Sequence, residues 1–522
     1  MSAQPSPQLD KNPSNLARYA ALVAALLGWL FDGFEMGLFP VISRPALVDL
    51  LGYGGKVMSA EQEGRVGAFN GIIIAAFLVG AATGGVLFGW LGDKLGRVRA
   101  MSLSILTYAG VSGLGAFVGL TGFESVFPGA WQMVAVRFVA ALGMGGEWAL
   151  GVALVMEIWG DRSRALLAGL IGAAANVGYV LVALLSLGIG QLKESLVGFN
   201  LSSDWIEWRL LMLMGVLPAG LTFVIRLFVP ESEDWEAEKA KGATDGWRSE
   251  DLFGVLLGAV ASLSILALWA NNLSYPVRLV GTVALMAVVL VGYLYPVRKY
   301  LGRMGTGPEG AIILGRMQLG ASLSGIALLG TWASMQWAPT WVGKISTDPD
   351  ARAWTQIASA TGAIFGGMFG AYLGAMAGRR VAYAVLCLLS LASVQYFYRM
   401  NDGYNTHFLA SAFVAGGLTA SFYGWLPLYL PELFPTRVRA TAQGFCFNFG
   451  RIIAAIGALQ TGALMKGVFE EDYAKACSFM SLVYLAGPVL ILFAPMTVAR
   501  SGIFGGTSKA FPEETNQNGL ET

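Results

Sequence analysis

The sequence predicts an all-α polytopic membrane protein, two six-helix bundles with a two-helix insertion between them. Three observations carry this. The 522 residues are 55% hydrophobic and only 13% charged, with mean hydropathy +0.61, well outside the soluble globular range. Apolar runs near the ~20 residues that cross ~30 Å of hydrocarbon recur along the whole chain. A pattern of spaced glycines, acids and arginines in the first half returns in the second.

The runs begin after a polar segment, 1–17, that has no cleavable apolar stretch and reads as a cytoplasmic tail. Six follow at about 18–40, 66–91, 99–120, 129–157, 164–189 and 208–229, giving a first bundle over 18–229. A charged connector, 230–251, precedes two further runs near 252–271 and 277–296, read as an inserted hairpin over 252–296. The second bundle, 310–498, holds runs near 310–339, 353–377, 381–398, 407–431, 440–466 and 475–498, and a polar tail, 499–522, closes the chain. That makes fourteen predicted spans. Lys and Arg concentrate in alternate loops, at 94–99, 162–164, 239–248, 298–303, 379–380 and 437–439. The positive-inside rule then places both termini in the cytoplasm and the protein in an inner or plasma membrane.

Other classes are poorly served. Net charge is +1, so no electrostatic case for nucleic acid exists. One histidine and three cysteines, Cys387, Cys446 and Cys477, offer neither a His-based triad, a disulfide framework nor metal-ligand spacing. An enzyme is not expected. Nor is a cofactor, beyond H+ or Na+ as a coupling ion. The expected partners are the bilayer and a small-molecule solute, with the chain acting as a monomer.

The densest motif is the turn at 89–99, Gly-Trp-Leu-Gly-Asp-Lys-Leu-Gly-Arg-Val-Arg, joining the second and third runs. Gly89, Gly92 and Gly96 permit close helix approach, Lys94, Arg97 and Arg99 fit a cytoplasmic loop, and Asp93 can bridge to a basic partner. Gly92 through Arg97 aligns with Gly374 through Arg379, where Ala375 replaces the acid. A second echo keeps its spacing throughout: Glu157, Arg162, Arg164, Ala165 and Gly169 return as Glu432, Arg437, Arg439, Ala440 and Gly444. Both copies fall at helix–loop–helix junctions. They imply two halves related by a pseudo-twofold along the membrane normal, and charge clusters able to hold the cytoplasmic ends together.

Charges inside spans read as functional, because an ionisable group there is costly unless paired or wetted. Asp32 and Glu35 share a helix face at i, i+3. Counted from opposite ends of their spans, Arg137 reaches a similar depth, which suggests one buried cluster facing a central cavity, with Arg137 available to a substrate carboxylate. Glu147, among glycines 143, 145 and 146, is a second carboxylate candidate for coupling. Asn176, Gln318 and Gln336 are uncharged candidates for recognising solute hydroxyls; Gln443 and Asn448 belong to the same group.

These residues resemble a known family. The turn at 89–99 is similar to the signature loop of the major facilitator superfamily, although Val98 separates the two arginines. Val229-Pro-Glu-Ser-Glu-Asp-Trp235 resembles the Pro-Glu-Ser segment of sugar porters. Asp32-Gly-Phe-Glu35, Arg137, Gly-Gly-Glu147-Trp, Glu157, Glu233-Asp-Trp235 and the inserted hairpin together are similar to bacterial sialic acid symporters. The resemblance implies the major facilitator fold and H+- or cation-coupled uptake, by alternating access, of a small carboxylated solute such as a sialic acid or sugar acid. A neutral-sugar or aromatic-acid symporter is the alternative. A drug/H+ antiporter is less well supported, since the fifth run, Gly169-Leu-Ile-Gly-Ala-Ala-Ala-Asn-Val-Gly178, lacks the proline of the antiporter motif.

Overall fold

The computed structural model describes residues 15–495, apart from 55–57, 121, 123, 160–162, 197–203, 217–219, 221–225, 227, 272, 349, 468 and 470–471. The first bundle consists of α1 (Asn15–Leu50), α2 (Ala60–Leu95), α3 (Arg97–Leu114), α4 (Gly129–Ile158), α5 (Arg164–Leu196) and α6 (Asp204–Met214). A short helix α7 (Glu233–Ala240) lies in the connector, and α8 (Leu252–Ala270) and α9 (Tyr275–Arg303) form the hairpin. The second bundle runs through α10 (Gly307–Trp332), α11 (Ala338–Ile345), α12 (Ala351–Met376), α13 (Arg379–Arg399), α14 (Thr406–Ala420), α15 (Phe422–Tyr429), α16 (Arg439–Gly467) and α17 (Tyr473–Met480). No strand occurs among the described residues.

Twelve segments among the described residues are long and apolar enough to cross a membrane. Of the fourteen spans expected, those near 208–229 and 440–466 are not among the twelve, and both run partly over residues or side chains outside the description. The tails 1–14 and 496–522 lie outside it altogether. One predicted span is broken: 310–339 is α10, which ends at Trp332, and a 3-10 turn at Met335–Trp337 then redirects the chain into α11.

Glycines set the packing, and they do so in duplicate. Within the first half, Gly84 of α2 lies on the backbone of Leu142 in α4; within the second, Gly366 of α12 lies on Gly417 of α14. Between the halves, Gly444 of α16 meets the Gly85 carbonyl of α2, and Gly169 of α5 meets Met368 of α12. A Cβ at Gly444 would drive into backbone, so these seams need small residues where apolar lipid tails leave packing as the main attraction.

The hairpin closes on itself where Gly254 and Gly292 face one another's backbone. It rests on α2 through α8 and reaches α10 and α16 through α9, so it spans the seam between the halves. The Thr83 hydroxyl donates to the Val79 carbonyl at 2.8 Å, which leaves the Tyr293 hydroxyl to donate to Thr83 at 2.7 Å. At the connector end Arg303 grips Asp251 through two bonds of 2.7 and 2.5 Å, and Trp247 stacks on Tyr300 at 4.2 Å.

Candidate functional site

Two sites emerge, a charge network on the face that carries the basic turns and a cavity beyond it. In the network Asp93 is buried, and its carboxylate accepts from Arg97 Nη1 at 2.8 Å. It also accepts from the backbone N–H groups of Ala440 and Thr441, at 3.2 and 2.9 Å, and from the Thr441 hydroxyl at 2.6 Å. Ala440 and Thr441 open α16, where N–H groups have no partner inside the helix and the helix dipole favours an anion. The acid therefore bonds the end of a helix in the other half.

Arg97, fully buried, also donates to the Gly92 carbonyl and the Thr436 carbonyl, each at 2.8 Å, and to Glu157 at 3.2 Å. Glu157 receives Arg439 Nη1 at 2.8 Å as well, a second tie between the halves. Arg437 pairs with Glu309 at 2.6 Å, and Glu432 with Arg379 at 2.6 Å. Lys94 lies over the Trp90 ring, Arg99 is exposed, and Arg164 opens α5. Arg162 lies outside the described residues. Gly89 touches the Ala440 carbonyl, Gly92 faces Leu150, and Gly96 takes a φ of +107°, which favours glycine.

The Pro-Glu-Ser segment completes the network. Glu231 accepts from the backbone N–H of Arg97 at 2.8 Å and of Val98 at 3.2 Å, capping α3, and Trp235 donates to the Asp93 carbonyl at 2.9 Å. Burial pushes the Glu231 carboxyl up from its ordinary range, while those backbone donors pull it back down.

Beyond this closure a cavity lies between the halves, lined by residues of both. Its inner end is aromatic. Phe447 stacks on Trp148 with centroids 3.9 Å apart, and Trp29 sets its edge against Phe447 at 6.1 Å. Arg451 lies over both rings, 5.1 Å from Phe447 and 6.0 Å from Trp29, and its Nη1 has no hydrogen-bond partner. Arg451 is twelve residues into α16, ~18 Å from its start, which is near mid-membrane depth. Asn176, Tyr179, Trp332 and Tyr423 form the walls, and Gln336 and Gln356 stand at the outer part.

Of the cluster expected from Asp32, Glu35 and Arg137, two members pair and Asp32 makes no bond to them, while Glu147 has a partner of its own. Glu35 bonds Arg137 and accepts from Ser112 at 2.8 Å, while Arg137 lies against the Phe39 and Phe77 rings at 4.8 Å each. Glu147 faces Arg226 at 3.7 Å. Asp32, fully buried, has no hydrogen-bond partner on either oxygen and feels the charges of Arg451, Glu147 and Glu35. None of Asp32, Glu35, Arg137 and Glu147 lines the cavity; Asn176 and Gln336 do, and Gln318 is on the exposed side of α10. Asp32 nonetheless lies between Trp29 and Met36, which do line it, on the same side of α1. Gln443 and Asn448 are buried at the α16 seam, where Asn448 donates to the Gly145 carbonyl of α4 at 3.0 Å.

Two arginines complete the picture that the candidate residues left open: Arg226 beside Glu147, and Arg451. Arg451 was open to detection by the repeat. Asn176 follows Gly169 by seven residues, and Arg451 follows Gly444 by the same seven. The two are equivalent positions, presented to one cavity from opposite halves.

Comparisons agree with this architecture. Residues 20–248 match the family model described as Sugar (and other) transporter. A Haemophilus influenzae protein named for metabolite transport is 26% identical over 484 residues, covering 92% of this chain and 97% of its own. The cis,cis-muconate transport protein of Acinetobacter baylyi is 24% identical over 449 residues, covering 86% of this chain and 87% of its own. The solved structure of the proton:xylose symporter XylE, of E. coli, bound to 6-bromo-6-deoxy-D-glucose, matches with a TM-score of 0.67 at 16% identity, over 92% of this chain and 97% of that one. The fold is therefore that of the major facilitator transporters among the solved structures, and the relatives this chain resembles in sequence are named as transporters of small molecules. The match to the sugar transporter model falls in the first half of the chain.

Proposed function

We propose that the protein is a cation-coupled importer of a small carboxylated solute, working by alternating access in an inner or plasma membrane. One observation carries the reading: a guanidinium, Arg451, lines the cavity between the halves with Nη1 unbonded, next to a carboxylate, Asp32, that has no hydrogen-bond partner. Buried charge in this setting calls for a partner, and a solute carboxylate supplies it with a charge-assisted bond. The role first given to Arg137 passes to Arg451, because Arg137 is already bonded to Glu35. Asp32 is the coupling group. A proton needs no ligand set, whereas Na+ would need further oxygens around it, so H+ is the preferred ion. The muconate carrier among the relatives, named for a dicarboxylate, supports an anionic solute. Sialic acid and other sugar acids belong to the proposed class, as do aromatic acids.

The test is uptake into proteoliposomes of labelled sialic acid, glucose and an aromatic acid, each with and without imposed pH and Na+ gradients. Acid uptake driven by the pH gradient is expected, with at least a tenfold loss in Arg451→Gln and loss of gradient dependence in Asp32→Asn. Uptake of glucose alone, or unimpaired acid uptake by Arg451→Gln, refutes it.

A further inference from the structure

The cavity wall discriminates among carboxylates. Resting on the carboxylated-solute reading above, we infer that the site selects a planar, unsaturated or aromatic acid over a polyhydroxylated one.

One end of the cavity suits an anion. Arg451 on α16 has two phenols as electrostatic neighbours, Tyr179 on α5 and Tyr423 on α15, and all three line the cavity. Trp332, also on the cavity wall, lies beside Tyr423. A carboxylate placed at Arg451 Nη1 would take a charged bond from the guanidinium and neutral ones from the two phenols. Those three donors come from both halves of the molecule, so the anion itself helps draw the halves together.

The body of the solute then meets rings. Trp29, Phe447 and Trp332 stand around the anion end, with Leu328, Met335 and Met36 adding apolar wall. Flat π faces stack on such walls in offset or edge geometry. Hydroxyl groups find little there. The Thr331 hydroxyl is spent on the carbonyls of Ala327 and Thr419, at 3.0 and 3.1 Å. The Thr419 hydroxyl donates to the Ala415 carbonyl at 2.8 Å, and the Asn176 amide to the Gly172 carbonyl at 3.2 Å. Apart from the Asn176 Oδ1 and the two phenols of the anion end, the polar side chains left are Gln336, Gln356 and Ser359, on the segments nearer the outer end. A sugar acid seated at Arg451 would press several hydroxyls against aromatic carbon, and each would lose its water without replacement. A planar acid loses nothing of that kind.

Purified full-length protein in detergent is titrated calorimetrically with benzoate, cinnamate, cyclohexanecarboxylate, sialic acid and neutral benzamide. Benzoate and cinnamate should bind at least tenfold tighter than cyclohexanecarboxylate and sialic acid, and benzamide should not register. Trp332→Leu should cut the preference for cinnamate over cyclohexanecarboxylate by about fivefold. Arg451→Gln should weaken both acids alike, leaving their ratio unchanged. A ratio of affinities is insensitive to the fraction of protein that folds, so a poorly folding variant still reports. Tight sialic acid binding that Arg451→Gln removes would overturn the planar preference and leave the carboxylate reading standing. Equal binding of benzamide and benzoate would overturn both, and failure of every planar acid to bind would overturn the preference.

Discussion

The two turns that join α2 to α3 and α12 to α13 share their glycines and their arginine, and among their differences one is an acid, Asp93 in the first and Ala375 in the second. In the first, Arg97 reaches back five residues to the Gly92 carbonyl and across to Glu157; in the second, Arg379 reaches back five to Gly374 and across to Glu432. Geometry this similar makes the difference interpretable. Asp93 bonds the first turn of α16 in the opposite half, while Ala375 has no carboxylate to offer α5. Charge therefore locks the α2–α16 seam, whereas the α5–α12 seam meets through small residues, with Gly169 against Met368 and Gly367 against Gly172.

The largest effect should come from Asp93→Asn. The amide keeps the shape but loses the charge that Arg97 and the α16 dipole both attract, so the lock weakens in either direction. Uptake is expected to fall at least tenfold. A cysteine at Thr436, whose carbonyl now holds Arg97, should label faster with a maleimide applied from the basic face; the native cysteines are all buried. Unchanged uptake and unchanged labelling together would remove the lock.

Arg379→Gln probes the other copy and should cost less than Arg97→Gln. Arg97 is fully buried and holds Asp93 and Glu157, in its own half, to the Thr436 carbonyl across the seam. Arg379 is partly exposed and serves the Gly374 carbonyl and Glu432, both in its own half. A loss of about threefold in uptake is expected for Arg379→Gln, against tenfold or more for Arg97→Gln, measured in the same vesicles. Equal losses would mean that the asymmetry at position 375 has no mechanical consequence.

Much of this was legible in the chain. Span positions follow from hydropathy, because a bilayer imposes a length; the halves follow from spaced repeats; and a cluster of acids and arginines at the basic face follows from their matching positions, although which arginine meets Glu157 or Glu432 does not. The partners of Asp93 were not. Across the seam they are two backbone N–H groups, which carry no residue signature, and the Thr441 hydroxyl, 347 and 348 residues away. The split of the buried charges was hidden for a related reason. Depth along a helix is readable from residue counts, but rotation about its axis is not, so Arg137 was placed at the right level for the cavity while it faces Phe39, Phe77 and Glu35. Arg451 was within reach: an arginine inside the apolar run 440–466 carries the same signal as Arg137, and the repeat pairs it with Asn176.

The smallest effect belongs to the hairpin, and it asks whether the locked seam has a second restraint. α2 carries the lock at its basic end and receives the hairpin along its length, through Thr83 and Tyr293. Tyr293→Phe removes one buried hydroxyl. Thr83 keeps its bond to Val79, so no group on α2 is stranded and the cost is that of one net hydrogen bond, about 1 kcal/mol. In a chain this long that amounts to a fall in Tm of about 2 °C or less, readable by following the melting of purified protein. Uptake should stay within twofold of the unaltered protein, because a brace that rides with α2 does not have to break during rocking. A large loss of uptake with melting unchanged would show instead that the hairpin, resting on α2 on one side and on α10 and α16 on the other, must move for the halves to move.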